Sequence, residues 1–127
     1  MCIRDRVYLR VSQLNGCAYC LDSHSRGLLK QGASLEKIML LAAWREALPL
    51  FTVREQAALA WAEVVTQVAQ THVPDADYAA VAAVFNEKAV ADLTLAISLM
   101  NALNRVAISF RKVPEAIKAH LENLDEQ

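Results

Sequence analysis

The run from Ala89 to Phe110 constrains the fold more than any other part of the chain. It contains no Gly or Pro, and its only charges are Asp92 and Arg105. Such a stretch reads as one long helix. Its middle is hydrophobic nearly all round, so it calls for burial between neighbours rather than for one face laid on a surface. Its longest uncharged part, Leu93 to Asn104, is too short for a bilayer span, which takes about 20 apolar residues.

Helical signals also dominate the rest, and no alternating strand pattern appears. Val7, Val11 and Leu14 mark the end of a first helix, which the turn dipeptide Asn15-Gly16 breaks. A second helix is expected from Cys17 to Gln31, stopped by Gly32. Ser34 caps a third, Leu35 to Ala47, ended by Pro49. Thr52-Val53-Arg54-Glu55 is a capping box opening a helix to Gln70. A short helix from Asp75 to Phe85 precedes the long apolar one, and Pro114 starts a last one at its first position. The fold class is therefore all-α: a compact bundle of about six or seven helices, with residues 1–127 forming a single domain.

Of the 127 residues 55% are apolar, against the usual 45–50% or so. That is more than a small monomer easily hides, so a homo-oligomer is expected. Net charge is -1 with no basic stripe, which argues against nucleic acid. No signal peptide is visible, and the 3 Cys are an odd count, unlike a secreted disulfide scaffold. A cytoplasmic protein without membrane attachment is expected. Thiols there are kept reduced, so a close Cys pair points to catalysis or metal binding.

That pair is Cys17 and Cys20, with His24 following. On a helix, residues three and four apart share a face, so the three form one stripe. The first helical turn offers free N–H groups and a positive dipole end, which favour thiolate over thiol. His24 can take a thiol proton. A thiolate with a second Cys beside it can attack a peroxide, become a sulfenic acid and be resolved as a disulfide. Position at the helix start favours Cys17 as the more acidic thiol; proximity favours Cys20 as the partner of His24. Structural zinc needs four ligands, and Cys2, His72 and His120 form no second pair. A purely structural disulfide would close too short a loop to gain much.

The segment Ser12-Gln13-Leu14-Asn15-Gly16-Cys17-Ala18-Tyr19-Cys20-Leu21-Asp22-Ser23-His24 resembles the core motif of the alkylhydroperoxidase D-like (AhpD-like) proteins of the carboxymuconolactone decarboxylase family. Trp44-Arg45-Glu46, the segment from Phe51 to Trp61, Val73-Pro74-Asp75 and the run from Asp92 to Arg105 are similar to that group as well. The resemblance extends from Val7 over nearly the whole chain. It implies an all-helical fold assembled as homotrimers or homohexamers, and a peroxiredoxin-type hydroperoxidase activity that needs no cofactor and no metal. It places the peroxide-reactive role on Cys20, the resolving role on Cys17 and proton relay on His24. The implied partners are a hydroperoxide and a dithiol reductant protein, lipoyl-bearing or thioredoxin-like.

The resemblance also calls for a Glu twelve residues before the first Cys, and Asp5 stands there. Asp is one methylene shorter, so the proton path lengthens by about one bond or runs through a water. Three of the residues Met1 to Arg6 are charged where an apolar stripe is expected. The string resembles a translated adapter remnant, which would leave Cys2 without function; the alternative is that Asp5 is a solvated helix residue.

Three rival functions stand beside the peroxidase. A decarboxylase-type lyase of the same family would use His or Glu and has no need of a Cys pair. A non-enzymatic redox sensor or binding protein would oxidise once. A zinc module would hold metal. Trp44, Arg45 and Glu46 fit a site, an interface or helix-end packing. Asn101 and Asn104 need partners if buried, and bonds across subunits are expected. Tyr19 is placed to shape the peroxide pocket.

Overall fold

The computed structural model describes residues 3–126. Met1, Cys2 and Gln127 lie outside the described residues, and with them the expectation for Cys2. The helices are α1 (Ile3–Asn15), α2 (Ala18–Lys30), α3 (Leu35–Leu40), α4 (Val53–Thr66), α5 (Val68–Thr71), α6 (Asp75–Ala82), α7 (Glu87–Ser109) and α8 (Glu115–Asp125), with 3-10 segments at Leu41–Glu46 and Leu48–Leu50. The all-α bundle is as expected, and no strand occurs among the described residues.

Among the described residues the α-helices number eight, because one of the seven expected segments divides into two, while another passes from α into 3-10 geometry. The segment after Ser34 leaves α geometry at Leu41, and Ala43 sits at φ −122°, ψ 35°. That kink turns Trp44 inward, where it is buried. The helix opened by Thr52 stops at Gln67 (φ −94°, ψ 30°), and α5 restarts beyond it. The Thr52–Glu55 capping box forms in both directions, and Ser34 caps α3. Asn86 caps α7, which therefore begins at Glu87. Pro114 stands at the cap, not at the first helical position.

Helix α1 is central. Val7 and Val11 pack with Ala58 and Ala62 of α4, Val81 of α6 and Ile97 of α7. On its other side Leu9 joins Leu28, Leu41, Trp44, Phe51 and Leu59. Ala58 and Ala62 are fully buried, and their small side chains let α4 approach α1 closely.

Two ion clusters tie α1 to its surroundings. Arg6 Nη1 meets Glu55 Oε1 at 2.7 Å, both buried, while Lys37 Nζ reaches Glu55 Oε2 at 2.8 Å. The charge at position 6 thus has a partner built into α4. In the second cluster, Glu63 accepts from Arg10 Nε and Trp44 Nε1, each at 2.9 Å, and pairs with Arg45. Trp44 and Arg45 therefore serve packing between α1, α4 and the 3-10 segment. Burial alone would raise the Glu63 pKa, but these donors hold it below the usual carboxylate range.

Helix α7 departs from the expectation of burial all round. Ile97, Met100 and Asn104 face inward. Leu95, Leu99, Leu103, Val106 and Phe110 form an exposed stripe, with Phe110 82% accessible. The apolar faces of α8, carried by Ile117, Leu121 and Leu124, are also exposed. Among the described residues no helix is long and apolar enough to cross a membrane.

Candidate functional site

The turn Asn15-Gly16 ends α1 and starts α2. Gly16 adopts φ +71°, a left-handed conformation that costs a side-chain-bearing residue about 1–2 kcal/mol. The amides of Gly16 and Cys17 both donate to the Ser12 carbonyl, at 2.9 and 3.1 Å. Cys17 is thereby the N-cap of α2 rather than its first helical residue, and its Sγ accepts from the Cys20 amide at 3.3 Å.

Cys17 and Cys20 are joined in a disulfide, with Cα atoms 5.3 Å apart. Both are buried and pack on Ala107 of α7, with Tyr19 and Ile108 alongside. Two cavities open on either side. One, of about 270 Å³, is bordered by Cys20, Ser23 and His24 of α2 and by Met100, Leu103, Val106 and Ala107 of α7. The other, of about 200 Å³, is reached from Cys17 and is bordered by Arg111 and Lys112. Tyr19 and Lys112 border both, and the Lys112 ammonium lies 4.1 Å from the Tyr19 ring centre.

His24 stands one turn beyond Cys20 and shares its cavity. Its ring lies 5.5 Å from that of Tyr8 on α1, inclined at 50°. Burial pushes the imidazole pKa below its ordinary value; the carboxylate of Asp5 partly opposes that. Asp5 is half-buried, one turn before Tyr8. The structure thus brings Cys17, Cys20, His24 and the field of Asp5 together across the α1–α2 junction. His72 and His120 are exposed, and neither borders the two cavities.

Sequence reasoning missed Tyr8, Met100, Leu103 and Val106. Tyr8 follows Asp5 by three residues, a spacing that already places it on the same face. The α7 residues had no local signal, because their distance from Cys20 depends on how α7 crosses α2. The two asparagines of α7 find partners inside the chain: Asn15 Nδ2 donates to Asn101 Oδ1 at 2.9 Å and to Asn104 Oδ1 at 3.0 Å. Among the described residues no cluster of His, Cys, Asp and Glu is placed to hold a metal.

The described residues thus form an all-α fold that carries a Cys-X-X-Cys disulfide at a helix start and a His one turn later. The profile of the carboxymuconolactone decarboxylase family matches residues 3–64. The chain is 37% identical over 106 residues to the uncharacterised protein YdfG of Bacillus subtilis (strain 168), covering 84% of this chain and 71% of YdfG. It is 34% identical over 99 residues to the uncharacterised protein YnjA of Escherichia coli (strain K12), covering 78% of this chain and 53% of YnjA. The crystal structure of ATU0492 from Agrobacterium tumefaciens superposes with a TM-score of 0.85 at 36% identity, covering 88% of this chain and 76% of that one. ATU0492 is a protein of unknown function for which a role in antioxidant defence as an AhpD has been put forward. The chain belongs to the carboxymuconolactone decarboxylase family, and its fold is AhpD-like.

Proposed function

We propose that the protein is a thiol-dependent peroxidase that reduces organic hydroperoxides through Cys20 and Cys17. One observation carries this reading: Cys20 and His24 border the same largely apolar cavity, with Cys17 already within disulfide reach. In the reduced protein His24, held neutral by burial, accepts the Cys20 proton. The Cys20 thiolate attacks one peroxide oxygen, the O–O bond breaks, and the alcohol leaves with a proton that His24 returns. The Cys20 sulfenic acid is then attacked by the Cys17 thiolate; water leaves and the disulfide forms. A dithiol donor, lipoyl-bearing or thioredoxin-like, returns two electrons and two protons. Met100, Leu103 and Val106 give an alkyl group an apolar wall, which favours organic hydroperoxides over hydrogen peroxide.

The same proposal includes assembly. The exposed stripe Leu95–Leu99–Leu103–Val106–Phe110 continues from the cavity rim, and its burial between subunits suits a homotrimer or homohexamer in the cytoplasm.

The test is consumption of cumene hydroperoxide by the reduced protein with excess dithiol, beside Cys20→Ser and Cys17→Ser. Steady turnover lost in both variants is the expected result. A wild type that reacts once and stops would favour a redox sensor. Thiols that stay reduced under peroxide would return the reading to a lyase using His24 and Asp5.

A further inference from the structure

Behind the Cys17 turn lies a buried chain of side-chain hydrogen bonds that the proposed chemistry does not use. Asn104 is fully buried on α7 and Asn101 nearly so. Asn104 Nδ2 donates to Ser12 Oγ at 3.1 Å, and the Ser12 hydroxyl donates to the Tyr8 carbonyl at 2.8 Å. Asn101 Nδ2 donates to the Ile97 carbonyl at 2.9 Å and to Thr66 Oγ1 at 3.1 Å. Both side-chain carbonyls receive Asn15 Nδ2. The chain thus joins α1, α4 and α7 at the residues flanking Gly16.

A packing role alone would be met by apolar residues of the same size at lower desolvation cost. What the amides add is direction. Asn15 is held in one orientation by two acceptors, and the Ser12 carbonyl is at the same time the acceptor for the Gly16 and Cys17 amides. Two residues before Cys17 and five residues before it, the backbone is therefore fixed to α7. The Asn104 turn is also the one next to Ala107, against which both sulfurs pack.

We infer that Asn15, Asn101 and Asn104 are positioning residues for Cys17: they hold its sulfur over Cys20 in the dithiol state, so that disulfide closure outruns further oxidation of Cys20. The step affected is attack of the Cys17 thiolate on the Cys20 sulfenic acid, with loss of water. Without the latch Cys17 swings about Gly16, its effective concentration at Cys20 falls, and the sulfenic acid survives to meet a second peroxide, becoming a sulfinic acid as that peroxide is reduced to alcohol. This second consequence rests on the peroxidase reading; the dithiol–disulfide equilibrium does not.

The experiment compares wild type, Asn104→Ala, Asn15→Ala and Thr94→Val. Thr94 accepts from Trp61 Nε1 at 2.9 Å elsewhere on α7, so Thr94→Val removes a part-buried hydrogen bond without touching the turn. Each folded protein is equilibrated with dithiothreitol redox buffers and the Cys17–Cys20 state is read by alkylation and mass spectrometry. Asn104→Ala and Asn15→Ala are expected to weaken the disulfide about tenfold, equivalent to about 30 mV for this two-electron couple, while Thr94→Val leaves it unchanged. Under pulses of cumene hydroperoxide the two Asn variants accumulate Cys20 sulfinic acid several-fold faster. Equilibria within twofold of wild type in both Asn variants would overturn the inference, as would an equal shift in Thr94→Val. Should Asn104→Ala not fold, Asn15→Ala decides alone. A shifted equilibrium in a protein that never turns over peroxide would leave the latch standing and remove the peroxidase reading.

Discussion

The Cys20 amide points at Cys17 Sγ across 3.3 Å, so the first turn of α2 offers its hydrogen bond to the N-terminal sulfur of the pair. That donor stabilises negative charge on Cys17 as it leaves. A leaving thiolate so stabilised departs faster, and Cys20 is the sulfur facing the larger cavity. The incoming reductant is therefore expected to attack Cys20 and expel Cys17. By microscopic reversibility, Cys17→Ser should form a mixed disulfide at Cys20 with oxidised glutathione, releasing one glutathione thiolate, at least tenfold faster than Cys20→Ser forms one at Cys17. Equal trapping rates would refute this order.

The burial of His24 fixes the sign of a pH effect. Its pKa lies below the ordinary 6.5 because burial disfavours the cation, with Asp5 partly opposing. Between the two values the unfolded chain binds more protons than the folded one. Stability is therefore complete above pH 6.5 and falls as pH drops through the folded value. Asp5→Asn removes the opposing charge and should move the His24 titration to still lower pH, followed by the NMR shift of its ring protons. Asp5→Glu should keep it near wild type. A titration unmoved in Asp5→Asn would show that the carboxylate does not act on His24.

Arg6 and Glu55 are both buried, so removing Arg6 leaves the Glu55 carboxylate with Lys37 as its cationic partner and one oxygen short of a charged donor. Arg6→Ala is expected to cost about 1.5–3 kcal/mol in urea unfolding, the range for a lost hydrogen bond to a charged group. Arg6→Met, paired with Glu55→Gln, should recover a good part of that, since the charge it leaves without a carboxylate is that of Lys37, which reaches solvent. A loss below about 1 kcal/mol in Arg6→Ala, the level of an exposed pair, would mean that the pair is solvated.

The stripe on α7 predicts the assembly state. Wild type should elute as a trimer or hexamer by size exclusion with light scattering. Leu99→Glu and Phe110→Glu place charges on the exposed stripe and should yield smaller species with unchanged helical circular dichroism. A wild type that is monomeric at micromolar concentration would remove the assembly proposal.

How far the site could be read before the structure is clear from His24 and Leu103. His24 follows Cys20 by one helical turn, so their shared face was legible from spacing alone. Leu103 lies on another helix, and nothing local says that it borders the same cavity. Asn104 shows the same divide. Its place in an apolar run signalled a buried amide in need of partners, but Ser12 and Asn15 are named only by the crossing of α7 over α1.

What the sequence determined by itself were the properties written in short-range periodicity and chemistry. These are the all-α class, the capping box at Thr52–Glu55, the break at Asn15-Gly16 and the Cys17–Cys20–His24 stripe. Each depends on residues within about one turn of one another, where backbone geometry leaves few choices. Tertiary structure alone decided the rest. It put Cys17 at the cap of α2, kinked the chain at Ala43 so that Trp44 meets Glu63, gave Arg6 its partner, and left one side of α7 exposed. Those outcomes depend on packing between segments far apart in the chain, where small changes in crossing and burial choose among arrangements that are locally equivalent.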